Sequence, residues 1–538
     1  MHPIYNVKFM VSLFFLIAVI LSVILFLDTS EPKTTESLPQ NQVKQRQHVI
    51  RAKPKPVAPK IRERIVHVDL KGAPLKTEYF AQFFPLIKRL GATGVLLEYD
   101  DTFPYKGALL KNVPALNSYK RKDIKAINNM AEQNQLTVIP FVQTLGNLEF
   151  LLKLHEFIEY REVPDFPSTI CPSYKNTTVV LQDMIEQILT LHPNSTRIHI
   201  GCNEVSFLGH CELCTNRMRA QEISKSELFQ QHIDTVVGII QRKRPSMEVL
   251  LWDDHFRLMD AEELMVKKSF KPVVWWYGRD VYDELGPGLW KVYSEMFGNV
   301  WIASSFKGST GSNKYITDLN HHLQNHKSWL SIIKEYQNKI NFEGIILTGW
   351  QRYDHFSVLC ELLPVGIPAL AMSLRLLQGY KDPGLGPPLE VAHILECQQP
   401  YGLIGSAFGS PKCKFPGGQV LENMVNFHEL RQEFNDILED STVKGWLSDY
   451  NRKYAFSNPQ QVKRLSGPLE KIKLEVDDLK TKLSESLLEV YDHYTVEEWL
   501  DTYVAPLANQ IDSLWDTNVK ILQRKSWPRR PLNYKNNL

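Results

Sequence analysis

Between residues 64 and 350 the hydrophobic positions gather into short dense runs, separated by stretches with helical periodicity. Eight runs stand out: Ile65-Val66-His67-Val68-Asp69, Gly94-Val95-Leu96-Leu97-Glu98, Leu136-Thr137-Val138-Ile139-Pro140, Arg197-Ile198-His199-Ile200-Gly201, Val249-Leu250-Leu251-Trp252-Asp253, Pro272-Val273-Val274-Trp275-Trp276, Val300-Trp301-Ile302-Ala303-Ser304 and Gly344-Ile345-Ile346-Leu347-Thr348. Each is rich in β-branched residues and closes on polar or aromatic ones, as strands covered on both faces do. Between the first two, residues 77–90 put Phe80, Phe83, Phe84 and Ile87 on one face and stop at Gly91. That spacing predicts a helix packed on a sheet. Eight strand-helix units over about 300 residues match an α/β fold of the (β/α)8 barrel type. A doubly wound open sheet is the other arrangement, and it would carry a glycine-rich phosphate turn after its first strand. The chain reads Gly72-Ala73-Pro74 there, which offers no dinucleotide site.

The flanks break this rhythm. Residues 9–27 form an uncharged apolar run of nineteen residues, which at 1.5 Å per residue reaches about 28 Å, close to the hydrocarbon thickness of a bilayer. A cleaved secretory signal has a shorter apolar stretch closed by small residues. This run closes on Phe26-Leu27-Asp28-Thr29 and predicts an uncleaved transmembrane signal anchor. Lys8 precedes it, and Asp28, Glu31, Lys33 and Glu36 follow. Residues 1–8 are therefore expected to be a short cytoplasmic tail, with a lumenal or extracellular body, as in a single-pass type II protein of the endomembranes or cell surface. Asn176-Thr177-Thr178 and Asn194-Ser195-Thr196 are glycosylation sequons that would be used on that side. Residues 28–63 turn to Pro, Lys, Gln, Ser and Thr and read as a solvated stem. The barrel is assigned to residues 64–380 and a C-terminal helical region to 381–538. In the latter, Ile472, Val476, Leu479, Leu483, Leu487 and Val490 step by three and four along one face. A seam of fewer than four clean heptads suits a helix packed within the chain better than a dimerising coiled coil, and leaves a homodimer open. Thr495 and Glu498 have capping-box spacing for the next helix.

Composition narrows the chemistry. The 538 residues are 43% hydrophobic, and 62 Lys+Arg against 60 Asp+Glu leave a net charge of +2. Such a chain can bury a large core, and it lacks the basic excess of a nucleic-acid binder. Seven Cys are too few for a disulfide scaffold. Cys211-Glu212-Leu213-Cys214, with Cys202 and His210 nearby, is half of a zinc site without a second pair at finger spacing, and ranks below a disulfide or two inert thiols. Cys360, Cys397 and Cys413 show no ligand spacing. No metal or cofactor is expected.

In a barrel the chemistry gathers at the C-terminal ends of the strands. Carboxylates follow four runs: Asp69; Glu98 with Asp100 and Asp101; Glu204; Asp253 with Asp254. Aromatic residues follow as well: Tyr99, Trp252, Trp275, Trp276, Tyr277, Trp350 and Tyr353. Any one Trp could equally fill the core, and any one acid could be a solvated loop charge. Their repetition at strand ends favours a cleft of acids and flat apolar faces, which suits a sugar.

The segment Arg197-Ile198-His199-Ile200-Gly201-Cys202-Asn203-Glu204-Val205 resembles the catalytic strand of glycoside hydrolase family 20, the β-N-acetylhexosaminidases. The likeness continues through residues 67–74, Pro140-Phe141-Val142-Gln143-Thr144, Leu251-Trp252-Asp253-Asp254, residues 303–308 and residues 347–355, spanning about residues 64–520. It implies hydrolysis of terminal non-reducing N-acetylgalactosamine or N-acetylglucosamine by substrate-assisted retaining catalysis, in which the 2-acetamido oxygen attacks the anomeric carbon. Glu204 is the implied acid/base. The family's preceding Asp, which steadies the acetamido N–H and its growing positive charge, is Asn203 here. Losing one such preorganised charge costs about 10²–10³ in turnover. Where the family has Gly-His after the third strand, this chain has Gly146-Asn147, which removes one member of the polar network around the acid/base. Trp252, Trp275 and Trp350 are the implied walls for the acetamido group, and Tyr277 the implied hydroxyl donor. Core packing is the other reading of Trp275. Asp69, Lys71, Glu98 and Asp354 are the implied partners of the sugar hydroxyls, with Lys71 standing where the family has Arg. The alternative is a membrane-anchored protein that binds N-acetylhexosamine without cleaving it efficiently.

Overall fold

A computed structural model describes residues 61–259, 269–379, 389–398 and 412–532. Ten strands are present there: β1 (Glu63–Asp69), β2 (Gly94–Glu98), β3 (Thr137–Phe141), β4 (Arg161–Val163), β5 (Phe166–Ile170), β6 (Arg197–His199), β7 (Glu248–Trp252), β8 (Lys271–Trp275), β9 (Asn299–Lys307) and β10 (Asn341–Gly349). Eight of them close into one barrel in the order β1-β10-β9-β8-β7-β6-β3-β2, and β4 and β5 form a separate antiparallel hairpin. The barrel neighbours pair in parallel throughout. The predicted helix forms at Thr77–Leu90, buries Phe80, Phe83, Phe84 and Ile87, and ends at Gly91 with φ 102°. A left-handed residue is what such a C-terminus needs, and glycine meets it without steric cost.

Period-two alternation sorts the barrel side chains. Ile65, Leu96, Ile139, Leu250, Val273 and Ile346 fill the lumen. Its N-terminal end is closed by ion pairs that link Arg197 to Glu63 at 3.3 Å, Arg197 to Glu248 at 2.8 Å and Lys271 to Glu343 at 2.6 Å. Trp301 lies above this ring, its indole N–H donating to Glu343 at 3.0 Å. The layers nearest the C-terminal end carry His67 and Asp69 from β1, Glu98 from β2, His199 from β6 and Trp252 from β7.

The heptad-like seam is spent inside the chain. In the helix Ser466–Leu488, Leu469, Ile472, Val476, Leu479, Leu483 and Leu487 are buried, facing the helices Gly418–Glu439 and Ala505–Gln523. The capping-box reading of Thr495 and Glu498 is corrected: the helix His493–Trp499 starts earlier, with Asp492 at its N-cap accepting from the Thr495 amide, so Thr495 and Glu498 lie inside it. Cys397 and Cys413 are joined by a disulfide. Among the described residues no helix is long and apolar enough to cross a membrane; the expected anchor at residues 9–27 lies outside them, as do the tail and most of the stem.

Candidate active site

β6 stops at His199, two residues short of the run read from the sequence, because the backbone turns sharply. Gly201, Cys202 and Glu204 have φ of 70°, 70° and 56°. Gly201 has no room for a side chain, since a Cβ would lie 1.9 Å from Gln143 Oε1. Cys202 and Glu204 adopt the left-handed region at a cost of roughly 1–2 kcal/mol each, so their surroundings must hold them there. The Cys202 thiol packs 3.1 Å from Thr144 Oγ1, and the Glu204 amide donates to Asp254 Oδ2 at 2.8 Å. Burial keeps the His199 imidazole neutral, leaving Nδ1 to accept the Gly201 amide at 3.1 Å. The turn tucks Asn203 inward, 7% exposed, and presents Glu204 at the mouth of a cavity of about 190 Å³ that both residues line.

Asn203 Oδ1 is buried and, among the described residues, has no hydrogen-bond donor in reach. A bare amide acceptor there costs about 1–3 kcal/mol unless a ligand N–H meets it. The Glu204 carboxylate accepts from Asn147 Nδ2 at 3.1 Å. Asn147, which stands where the resemblance implies a His, therefore touches Glu204 as a neutral donor.

Asp254 ties this edge to the aromatic wall: Oδ2 takes the Glu204 amide and Oδ1 takes the Trp275 indole N–H at 3.2 Å. Burial pushes its carboxyl up to about 6, against the pull of the Glu204 amide. Above that pH it is an anion holding both donors, and below it is neutral and holds them less strongly. Turnover is expected to fall as pH drops through about 6, and Asp254→Asn should flatten that limb at a lower plateau. A pH profile of kcat for the two proteins checks this.

Trp252, Trp275, Tyr277 and Trp350 all line the cavity. Their rings adjoin in sequence, Trp252 to Trp350 at 6.1 Å, Trp350 to Tyr277 at 6.3 Å and Tyr277 to Trp275 at 5.1 Å. Trp275 thus belongs to the wall and not only to the core. Lys71 lies 5.2 Å over the Trp350 ring, and both Lys71 and Asp354 line the cavity. Asp69 and Glu98 do not, which corrects their reading as sugar contacts. They point into the lumen one layer below, 4% and 0% exposed. Asp69 Oδ2 accepts from Lys71 Nζ at 3.0 Å and from the Gln351 amide at 2.7 Å. Glu98 lies 3.7 Å from Lys71 Nζ and 2.9 Å from His67 Nε2. Burial drives His67 down to about 3, so the imidazole in that contact is neutral; burial also pushes the Glu98 carboxyl up, against the pull of Lys71. Burial also works against the Lys71 ammonium, but Asp69, Glu98 and Asp100 outweigh it and raise its pKa. Lys71 is a fixed cation at the cavity wall.

Sequence reasoning did not assign roles to Gln143, Glu149, Ser309 and Arg352, which share the cavity with Tyr353, one of the strand-end aromatics. Arg352 lies in the segment 347–355, and its neighbour Glu498 is 146 residues away, so nothing local marks it. Its guanidinium grips Glu498 through two 2.6 Å bonds and donates to the Lys71 carbonyl at 3.3 Å. The helical region therefore braces the loop after β10. Glu498→Gln should raise KM by about tenfold, roughly 1.4 kcal/mol, with kcat nearly unchanged; steady-state kinetics check it. Burial lifts the Glu149 carboxyl to about 7.

A family model described as the catalytic domain of glycosyl hydrolase family 20 matches residues 85–286. Hexosaminidase D of Homo sapiens is 37% identical over 459 residues, covering 84% of this chain and 93% of that protein. The chain belongs to glycosyl hydrolase family 20. Hexosaminidase D of Bos taurus is 43% identical over 319 residues, or 58% of this chain and 91% of that protein. Among solved structures, a β-N-acetylhexosaminidase from Bacteroides fragilis NCTC 9343 aligns with a TM-score of 0.44 at 11% identity, covering 59% of this chain and 66% of that one. As a family 20 member the chain is a glycosidase, with Glu204 and Asn203 on the strand-end turn just described.

Proposed function

We propose that the protein is a β-N-acetylhexosaminidase, removing terminal non-reducing N-acetylgalactosamine or N-acetylglucosamine with retention through participation of the substrate's own acetamido group. The observation that carries this is the buried, unpartnered Asn203 Oδ1 inside an aromatic-walled cavity, beside Glu204. The sugar's apolar faces rest on the indoles, and its hydroxyls meet Lys71, Arg352 and Asp354. Asn203 Oδ1 accepts the acetamido N–H and turns the acetamido oxygen towards the anomeric carbon. Burial raises the Tyr277 hydroxyl, so it stays protonated and donates to that oxygen, holding it in line. Glu204 passes its proton to the leaving oxygen as the acetamido oxygen closes on the ring, then draws a proton from the water that opens the bicyclic intermediate. A retaining nucleophile from the protein is not required. A binding-only role is disfavoured, because Glu204 retains a hydrogen-bonded setting at the mouth. Release of the aryl alcohol from aryl N-acetylgalactosaminide and N-acetylglucosaminide, measured for the wild type and Glu204→Gln, tests the assignment.

We further propose a type II orientation, with residues 9–27 in the membrane and the barrel in the lumen or outside the cell. Support comes from the apolar run, the two sequons and the Cys397–Cys413 disulfide, a bond that persists in oxidising compartments. Asn194 is exposed and Asn176 half-buried. Protease treatment of sealed vesicles should leave the barrel intact, and an N-glycanase should increase its mobility; digestion without detergent contradicts the orientation.

A further inference from the structure

Glu162, Cys171, Cys211 and Cys214 come together away from the residues that line the cavity, their ligand atoms all within 4.8 Å of one another. The Cys171 sulfur lies 3.3 Å from that of Cys211 and 3.6 Å from that of Cys214. The Cys214 sulfur lies 3.2 Å from Glu162 Oε2. In a tetrahedral zinc site with bonds of ~2.3 Å to sulfur and ~2.0 Å to oxygen, the donors sit about 3.8 Å apart for two sulfurs and about 3.5 Å for sulfur and oxygen. The two sulfur–sulfur separations and the sulfur–oxygen one fall about 0.2 to 0.5 Å inside those values, and the remaining donor pairs stay within 4.8 Å. A disulfide needs ~2.05 Å between sulfurs, would use only two of the three thiols, and would leave the third beside a buried carboxylate. Glu162 is 1% exposed, and Cys171 and Cys214 are 1% and 0% exposed, so the group is closed to solvent on most sides.

The outer contacts are those of a held metal turn. Cys211 begins the helix Glu212–Gln221, and its sulfur accepts the Cys214 amide at 3.2 Å. The Cys211 amide donates to Glu162 Oε1 at 3.0 Å, fixing the carboxylate, and Ser173 Oγ lies 3.1 Å from the Cys214 sulfur. Such second contacts orient ligands before the ion binds. We propose that Cys171, Cys211, Cys214 and Glu162 bind one structural zinc ion. With three thiolates and a carboxylate filling four positions, no site remains open for water or substrate, and soft sulfur donors favour zinc over calcium or magnesium.

The position gives the ion a purpose. Glu162 lies on β4, and Cys171 follows β5, whose Ser168 carbonyl takes the Leu148 amide and whose Ile170 amide reaches the Leu145 carbonyl, both at 3.0 Å. That hairpin supports the turn bearing Gln143 and Asn147. Cys211 and Cys214 end the segment that begins with Asn203 and Glu204. The zinc would clamp the two segments that meet at the acid/base.

The test is elemental analysis of the full chain purified without chelator. About one zinc per chain is expected, falling at least fivefold in Cys171→Ser and in Cys214→Ser while Cys360→Ser, a buried thiol elsewhere, keeps it. Should the Ser variants fail to fold, cobalt exchanged into the wild type should give thiolate-to-cobalt charge-transfer absorption and the intense visible bands of tetrahedral coordination. Wild-type protein with under about a tenth of an equivalent of metal, or a featureless cobalt spectrum, overturns the site. So does a non-reduced peptide map that joins Cys171 to Cys211 or Cys214.

Discussion

Glu204→Gln is expected to lower kcat/KM on alkyl and natural glycosides by about 10²–10⁴-fold, the range supplied by a positioned proton donor and acceptor. Gln keeps the shape and can still meet Asn147 Nδ2 through its carbonyl oxygen, so the turn should survive. The φ of 56° at this position is set by the backbone and by the Asp254 contact, neither of which the change removes. The loss should depend on the leaving group. An acidic phenol departs without a proton, so its first step should suffer less than that of an alkyl alcohol, whereas loss of a merely structural group would lower both equally. Product binding, followed by tryptophan fluorescence from the cavity indoles, should stay within a few-fold of wild type. Equal losses on all leaving groups would assign Glu204 to positioning instead.

Asn203→Asp is expected to raise kcat by about 10–10²-fold, a gain of roughly 1.4–2.7 kcal/mol in transition-state stabilisation. The acetamido nitrogen gains positive charge as its oxygen closes on the ring, and a carboxylate opposes that charge where an amide only accepts the N–H. The gain should fall short of the 10²–10³ usually ascribed to one preorganised group, since position 203 is 7% exposed and Glu204 and Asp254 are both acidic neighbours. KM should move less than kcat, because the charge difference appears mainly in the transition state. Steady-state kinetics of the pair at a pH above 7 decide it, and an unchanged or lower kcat would mean the site has been rebuilt around the neutral amide.

The barrel was legible because its strands are buried on both faces and so read as uninterrupted apolar runs, while Phe80, Phe83, Phe84 and Ile87 keep a helical period between the first two. The fourth run looked longer than β6 is, since no local pattern reveals that Gly201 and Cys202 leave the sheet. Strand ends pointed towards the aromatic wall but also to Tyr99 and Trp276, which do not line the cavity; the family resemblance singled out Trp252, Trp275, Tyr277 and Trp350. Depth was not: Asp69 and Glu98 occupy the same inward register as a contact residue would, and only the closed lumen shows them beneath Lys71, holding its charge. Arg352 owes its place to Glu498, and Cys171 with Glu162 completes the Cys211/Cys214 pair from about 40 to 50 residues away. Contacts at such separations leave no spacing signal in the chain. Asn147 stands where the family has His, and its own amide reaches Glu204.

The central claim is that the substrate's acetamido oxygen, aimed by Asn203 and Tyr277, forms the bond to the anomeric carbon. It is tested most directly with aryl glycosides whose acetyl group carries zero, one, two or three fluorines. Each fluorine weakens that oxygen as a nucleophile while changing the size of the group little. The account predicts a steep, progressive fall in kcat/KM across the series, and a flat series would contradict it.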